Sequence, residues 1–587
     1  MENKINSGYT YKINKLKLGN GEEIIPGRIN VFVGANNCGK TQLLKDILEI
    51  ITGSKEPRVL LDSIDATFPN VWSEIVDAYS MKIINTSGNY QIRHVSPTLA
   101  GKVTGPAAPD FEEAMQRWFE NEDKHLFQKS VGPGLVTYLN TDNRLQLAKK
   151  QRVSNLYDEG AKNVLEALYL AGLPAVKKIE QIVKETFEID IHFDSSDLGA
   201  LQYKVGIDSS TVPDKNIEAY PVVSKYPILD NQGDGLRGFL GIASALISVQ
   251  KPIVLLDEPE AFLHPPQAIK MGEIISELVD ESKQIFIATH NADFLRGLLS
   301  TAKDAVIIHL NRLANDETEV KVLDQNTLNE IVTDPLLSSS RVLEGMFYKG
   351  VVATEADADA VFYQRLYQRI GSKDEIHFFN AHNKQTLKKI IKPYQKLGVR
   401  FAMIADADII RDTRELKSII GEIADDDLEN TILSERDEVY NFFQKKSKYD
   451  ILCELKREII QLGTRELPIK DSPDKDIINV IDEIRAELKK IREGADELLE
   501  LKKYGKKSLP VVEQSVFEKF CYHCASVGLF VVKVGELESW LEDYEVARSS
   551  KKSKWISKAL EKLYTIEVED DKEIWKFIKE IQQYFVQ

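Results

Sequence analysis

The sequence predicts a two-part α/β protein. An N-terminal nucleotide-binding domain is expected over residues 1–340, and a second parallel-sheet domain over 345–587. Three observations carry this expectation. The chain has 587 residues, beyond the size at which a single hydrophobic core stops growing. A glycine-bearing loop stands between an apolar strand and an amphipathic helix near the start. After residue 345, strands and helices alternate again, and the strands end in acids.

Composition narrows the class. With 43% hydrophobic and 29% charged residues, the chain reads as an ordinary folded protein. Its net charge of −16 works against indiscriminate adhesion to nucleic acid, so any phosphate contact must be local. Two basic patches qualify, "KKYGKK" (Lys502 to Lys507) and "RSSKKSK" (Arg548 to Lys554), although such runs are often only solvated faces. No segment has the length of apolar residues that a membrane span needs, and the N-terminus lacks the apolar core of a signal peptide. Four cysteines make no disulfide framework, and a cytoplasmic location is expected.

In "RINVFVGANNCGKTQLLKDILEI", an apolar strand (Ile29 to Val33) meets a turn and then a helix carrying Leu43, Leu44, Ile47 and Leu48. The turn, Gly34 to Thr41, satisfies G-x-x-x-x-G-K-[ST]. Gly34 and Gly39 let the backbone curl so that N–H groups face phosphates; Lys40 balances the β and γ charges, and Thr41 can ligate Mg²⁺. Asn36, Asn37 and Gln42 complete the candidate ATP contacts of this loop.

"KPIVLLDEPEAFLHPPQ" is an apolar strand ending in Asp257 and Glu258. Acids at the carboxyl end of a buried parallel strand sit where nucleotide chemistry collects, so Asp257 is assigned to the metal and Glu258 to the catalytic base. The next strand, "KQIFIATHNADFL", ends in His290, placed to sense a γ-phosphate. Ahead of both, "NQGDGLRGFLGIASAL" puts Gly233 and Gly235 in a turn opening a helix from Leu236, a second phosphate-facing helix start. Residues of about 60–215 carry mixed strand and helix signals, and an inserted helical dimerisation module is expected there. His94, His125 and His192 in that range show no metal spacing.

After "FYKG" the second domain begins with a strand from Val351 to Thr354, a helix, the strand "IHFFNA", a further helix and the strand "VRFAMIADADII". Helices between strands imply crossovers and a parallel sheet, whose chemistry gathers at the carboxyl ends of the strands. Glu355 and Asp406 occupy two such ends, with Asp359 four residues after the first and Asp408 two after the second. Several carboxylates in one crevice repel one another unless a cation sits among them, and oxygen ligands suit Mg²⁺ or Mn²⁺. Asp357 alone is explained by the dipole of the helix it opens.

The order of P-loop, glycine-rich helix start, Asp-Glu strand and His strand resembles the ABC-type ATPase head of the SMC, Rad50 and RecF kind. That resemblance implies ATP sandwiched in a homodimer of heads, with Glu260 and His264 of "EPEAFLHPPQ" near the nucleotide. The acids of the second domain resemble those of Toprim domains. The two halves together resemble the OLD (overcoming lysogenisation defect) family of ATP-dependent nucleases, which includes the Gabija nuclease subunit. "GLFVVKVGELESWL" looks like that family's closing motif, a strand bearing a lysine and then an acidic helix start. Carried across, Glu355, Asp359, Asp406 and Asp408 are metal ligands, Glu536 or Glu538 completes the shell, and Lys533 steadies charge on the scissile phosphate. One departure is Ala356, where the family usually has glycine.

A charged segment of about 411–520, including "DKDIINVIDEIRAELKKIREGADELLELKK", reads as a helical insertion with Ile477, Ile478, Ile481, Ile484, Leu488 and Ile491 on one stripe. Cys521, His523 and Cys524 lack a second ligand pair and are expected to be structural. The resemblance implies an ATP-regulated DNA endonuclease using two divalent ions, a homodimer or higher oligomer, and a role in antiphage defence. The partner class it implies is a retron reverse transcriptase with its RNA–DNA hybrid, or a helicase. A non-cleaving, ATP-switched sensor or scaffold is the competing expectation.

Overall fold

In the computed structural model, the described residues are 10–586 without 55, 72, 75–80, 87–88, 95–102, 105–118, 122–123, 154–155, 157–160, 250, 280, 313–316, 335–342, 372–375, 382–383, 445–447, 465–473, 495–497 and 549–551. The chain divides into two compact units, Met1–Tyr348 with Lys396–Gly398, and Lys349–Gln395 with Val399–Gln587.

The first unit opens with β1 (Ile13–Leu18), β2 (Glu23–Ile24) and β3 (Ile29–Val33), followed by α1 (Lys40–Thr52) and β4 (Leu61–Ala66). A hairpin-like set β5 (Met81–Thr86), β6 (Asn89–His94) and β7 (Val103–Thr104) precedes β8 (Val136–Leu139) and α2 (Thr141–Leu147). Then come β9 (Gln151–Arg152), β10 (Ile191–Asp194), β11 (Ala200–Val205), α3 (Asp234–Ser248), β12 (Ile253–Asp257), α4 (Pro265–Leu278), β13 (Gln284–Ala288) and α5 (Ala292–Thr301). The unit closes its main sheet with β14 (Val306–Arg312) and β15 (Thr318–Val322).

That main sheet runs in the order β15-β14-β3-β13-β12-β8. It is parallel except for β15, which lies antiparallel to β14 at one edge. Every residue of β3, β12 and β13 is buried, which is why these strands read as continuous apolar runs instead of alternating ones. The inserted range is mixed and not purely helical. It supplies β8 to the main sheet and β4 to a separate antiparallel sheet, β2-β1-β4. Short apolar stretches flanked by polar turns do not distinguish a strand from a helix segment by periodicity alone.

The second unit is built on β16 (Gly350–Thr354), β17 (Ile376–Asn380), β18 (Arg400–Ala405) and β19 (Leu529–Val531). These form one all-parallel sheet in the order β17-β16-β18-β19. Helix α6 (Asp357–Arg369) follows β16, and α7 (Asp426–Phe443), α8 (Lys448–Gly463), α9 (Asp474–Gly494), α10 (Leu499–Tyr504) and α11 (Val511–Ser526) fill most of the stretch between β18 and β19. The helical insertion thus stands between adjacent strands. On α9 the expected apolar stripe is largely exposed, Ile478 at 56% and Leu488 at 48%. The core is aromatic: Phe362, Tyr363, Phe530, Trp540, Trp555 and Trp575 pack together with α12 (Glu573–Val586). Cys521 and Cys524 are buried on α11, and His523 Nδ1 meets Glu435 Oε2 at 2.9 Å, so this trio serves packing. No helix among the described residues is long and apolar enough to cross a membrane.

Candidate ATP site and acidic crevice

The phosphate loop takes its shape from backbone that only small residues tolerate. Gly34 has φ +142°, and a Cβ there would lie 2.3 Å from the Leu310 carbonyl. Gly39, at φ +104°, caps α1, while Asn36 and Asn37 are exposed at the loop's tip. Lys40 folds back on the loop, its Nζ donating to the carbonyls of Gly34 (2.8 Å) and Ala35 (2.9 Å). Gln42 turns away to donate to buried Asp46 at 2.8 Å.

Because β3, β13 and β12 are neighbours, the P-loop, the His strand and the Asp-Glu strand end side by side. Thr41 Oγ1 donates to Asp257 Oδ1 at 2.9 Å, and the Tyr138 hydroxyl donates to Asp257 Oδ2 at 3.3 Å. Burial raises the Asp257 pKa, and these two hydrogen bonds oppose the rise. A hydroxyl and a carboxylate brought into contact are a donor set that fits Mg²⁺.

Glu258 has φ +47°, an uncommon conformation for a residue with a side chain, and its N–H donates to the Ala288 carbonyl at 2.8 Å. His290 Nδ1 lies 3.3 Å from Glu258 Oε1 and 3.4 Å from Glu260 Oε1. The hydrogen bond with His290 holds the Glu258 carboxyl below its ordinary range and raises the His290 pKa in return. Burial pushes Glu260 the other way. His264 is exposed at the start of α4.

Sequence reasoning missed Arg144. It is fully buried on α2 and donates through Nη1 to the main-chain carbonyls of Asp257 and Glu258, with Glu260, Glu258 and Asp257 all acting on its charge. No pattern in "NTDNRLQL" separates this arginine from an ordinary surface one.

The glycine turn differs from expectation. Helix α3 begins at Asp234, so Gly235 lies inside its first turn and only Gly233 caps it. An acid at the first helical position favours the earlier start. Gly235 is required by approach, since a Cβ there would sit 2.7 Å from the Phe262 carbonyl.

In the second unit, β16 pairs with β18 in the register Val352↔Ala402 and Ala353↔Met403. Glu355 and Asp406 therefore leave adjacent strands at nearly the same level. Ala356 has φ −141°, extended backbone open to any residue, so the usual glycine's freedom is not needed at this turn. Its N–H donates to Asp359 Oδ2 at 3.1 Å, which makes Asp359 a cap of α6. Asp357 is exposed.

The buried Tyr363 hydroxyl accepts from Trp540 Nε1 at 2.9 Å. Burial first, then the charges of Asp406, Asp359 and Glu538, raise its pKa. On the other side, Lys502 Nζ on α10 donates to Asp408 Oδ2 at 3.0 Å. Burial alone would lower the Lys502 pKa, yet Asp408, with Asp406 and Glu536 behind it, raises it. Asp406 acts on both groups, with Asp359 and Glu538 on Tyr363 and with Asp408 and Glu536 on Lys502.

Two expectations are corrected here. The closing motif is not a helix start: Lys533 lies beyond the end of β19, and Leu537–Ser539 make a single 3₁₀ turn. Lys533 Nζ is held by Glu580 at 2.8 and 3.0 Å, and Arg548 Nη1 stands 3.3 Å from Glu536. Among the described residues no group of three or more His, Cys, Asp or Glu side chains is drawn together tightly enough to hold a metal ion. The Lys502 ammonium already balances Asp408, so the side chains as placed among the described residues do not form a cage for a divalent cation. Lys502 was legible in the sequence only as part of a basic run.

Two domain families match the chain. One described as an AAA domain, putative AbiEii toxin, Type IV TA system, matches residues 205–296; the other, the Overcoming lysogenization defect protein-like TOPRIM domain, matches 346–408. The Old nuclease of Escherichia phage P2 is 23% identical over 168 residues, 27% of this chain and 28% of that protein, so the match spans under a third of the relative's length. Among solved structures, the Smc head bound to the C-winged helix domain of ScpA has a TM-score of 0.31 at 12% identity, covering 53% of this chain and 98% of that one. The SMC head domain from Thermotoga maritima has a TM-score of 0.28 at 12% identity, covering 53% and 99%. One polypeptide thus carries a match to an AAA domain over residues 205–296 and a match to an OLD-like TOPRIM domain over residues 346–408.

Proposed function

We propose that this protein is an ATP-regulated, divalent-metal-dependent DNA endonuclease of the OLD type, acting in the cytoplasm as an antiphage defence effector. The observation that carries this reading is the parallel register of β16 and β18, which sets Glu355 and Asp406 at one edge of the sheet. Glu355, Asp406 and Asp408 would hold the cation, with Asp359, Glu536 and Glu538 completing its surroundings. A bound Mg²⁺ or Mn²⁺ would supply Lewis-acid chemistry toward water and the phosphodiester. Lys533 would approach a scissile phosphate by leaving Glu580.

In the ATPase unit, Lys40 and the N–H groups of the loop bind the phosphates of ATP. Thr41 and Asp257 hold its Mg²⁺, and Glu258, kept ionised by His290, orients and deprotonates water. Gly233 and the start of α3 face the nucleotide of a second subunit in a homodimer of heads or a higher oligomer. Hydrolysis of a phosphodiester needs no coupled energy, so ATP gates access or assembly. A retron reverse transcriptase with its RNA–DNA hybrid, or a helicase, is the partner class.

A second reading, an ATP-switched sensor or scaffold, draws on the Lys502–Asp408 and Lys533–Glu580 ion pairs, which tie up two groups the chemistry would use. Supercoiled plasmid incubated with the protein and Mg²⁺ or Mn²⁺, with and without ATP, separates the two. Nicking that is lost in Glu355→Ala and Asp406→Ala is the expected result. Intact plasmid in every condition would sink the nuclease and favour the scaffold.

A further inference from the structure

We propose that the first unit carries a binding site for an aliphatic polyamine, in the cavity between the helix Leu173–Phe187, the strand β10 and the 3₁₀ turn Ser209–Thr211. None of its residues belongs to the ATP loop or to the acids of the second unit, so neither functional reading enters the inference.

The cavity measures about 740 Å³, inside the range of about 300–1,000 Å³ typical of small-molecule sites. One wall is a single helical face, on which Leu173, Val176, Lys177, Glu180, Gln181 and Lys184 follow the i, i+3, i+4, i+7 spacing. At 1.5 Å per residue that face runs for about 16 Å, long enough for a linear ligand. Leu173, Val176, Val212, Pro213 and Ala219 give the cavity apolar surface. Its charge is acidic: five carboxylates border it against two lysines, and one of these, Lys184, is already held by Asp190 at 2.7 Å.

A hydrogen-bonded relay stands in the lining. Burial holds the His192 pKa down, so the ring stays neutral and adds no positive charge. Ser209 Oγ donates to Glu180 Oε1 at 2.6 Å, the short distance of a hydroxyl on a carboxylate, in preference to the Ile191 carbonyl at 3.3 Å. That commits the hydroxyl's single proton, so His192 Nδ1, 3.0 Å from Ser209 Oγ, is the N–H donor of its ring. Phe193 N–H also donates to Glu180 Oε1, at 3.2 Å. All these bonds fall on one carboxylate oxygen and one ring nitrogen. Among the described residues nothing bonds to Glu180 Oε2 or to His192 Nε2, which leaves two acceptors on side chains that border the cavity.

These features select the ligand. An anion would meet a surplus of carboxylates, and a neutral apolar molecule would strip water from Glu180 without replacing it. A bare divalent ion is not caged, because among the described residues no three His, Cys, Asp or Glu side chains stand close enough to hold one. Ammonium groups bring N–H donors to Glu180 and His192, and methylene spacers suit the apolar lining. Tyr169, 44% exposed and also lining the cavity, adds an aromatic ring of the kind that attracts ammonium groups.

The test is calorimetric titration of the nucleotide-free full chain with spermidine, n-butylamine and MgCl₂ at one ionic strength. Spermidine is expected to bind at one site per chain, with butylamine about tenfold weaker or more because it carries a single ammonium group. Glu180→Gln should weaken spermidine about tenfold or more. Leu173→Lys, which sets a like charge at a position 63% exposed, should do the same without altering a buried group, and it decides the matter if Glu180→Gln lowers the melting temperature. No saturable spermidine binding, butylamine binding as tight as spermidine's, displacement by Mg²⁺ at equal ionic strength, or an affinity that survives either substitution in a folded variant overturns the inference.

Discussion

Arg144→Met tests how the Asp-Glu strand end is held. Arg144 is 0% exposed and donates to the carbonyls of Asp257 and Glu258 while facing the carboxylates of Glu260, Glu258 and Asp257. Methionine fills much of the volume but leaves two carbonyls without that donor and three acids without that charge. Removing one partner from a buried ionic arrangement costs about 3–5 kcal/mol. At roughly 2 °C per kcal/mol for a unit of this size, the melting temperature should fall by about 6–10 °C. Glu258 adds a functional consequence, since its left-handed backbone carries about 1–3 kcal/mol of strain that persists only while neighbours over-determine it. Loss of that alignment by even 3 kcal/mol corresponds to about a hundredfold slower ATP hydrolysis. Lys40 donates to the carbonyls of Gly34 and Ala35, so ATP affinity should change by less than about threefold, roughly 0.6 kcal/mol. Calorimetry with and without ATP identifies the ATPase unit's transition by its ligand shift, and phosphate release gives turnover. A variant that melts with the wild type and hydrolyses ATP at the wild-type rate would refute the reasoning.

Three further outcomes are expected. His290→Gln should lower stability in a pH-dependent way. The raised His290 pKa gives stability fully present below the unfolded histidine's value and lost as pH rises through the folded one. The lowered Glu258 pKa gives stability present above the unfolded glutamate's value and lost as pH falls through the folded one. The wild-type advantage in urea midpoint should thus peak between about pH 4.5 and 6.5, and a flat difference would contradict the pairing. Gly235→Ala gains about 1 kcal/mol of helix propensity but puts a Cβ 2.7 Å from the Phe262 carbonyl. A net loss of about 1–2 kcal/mol is expected by denaturant unfolding, and a net gain would show that the loop yields freely. Trp540→Phe removes the donor to the buried Tyr363 hydroxyl and should destabilise the Toprim unit by about 1–3 kcal/mol. Tyr363→Phe made in the same background should then cost little more, which a double-mutant cycle measures.

Much of this protein was legible one segment at a time. The P-loop needs two glycines at φ of +142° and +104° and a lysine and threonine directly after them, and such local backbone demands leave a contiguous signature. Buried parallel strands are apolar throughout, so the Asp-Glu and His strands announced themselves and the acids at their ends with them. The same held for Glu355 and Asp406. Segment boundaries were softer: α3 begins one residue before Gly235, and the expected helix after Lys533 is one 3₁₀ turn, because short polar stretches hold several conformations of similar energy.

What only the tertiary structure decided is which charges meet. Arg144 reaches a strand end 113 positions away, Lys502 reaches Asp408 across 94, and Lys533 reaches Glu580 across 47. None of these pairings follows a helical or strand period. They arise where close backbone contacts, such as those at Gly505 and Gly535, fix remote main chain, and the side chains then settle in the resulting electrostatic field. Residue types at strand ends are a property of the local chain, whereas the counter-charge each one faces is a property of the whole fold.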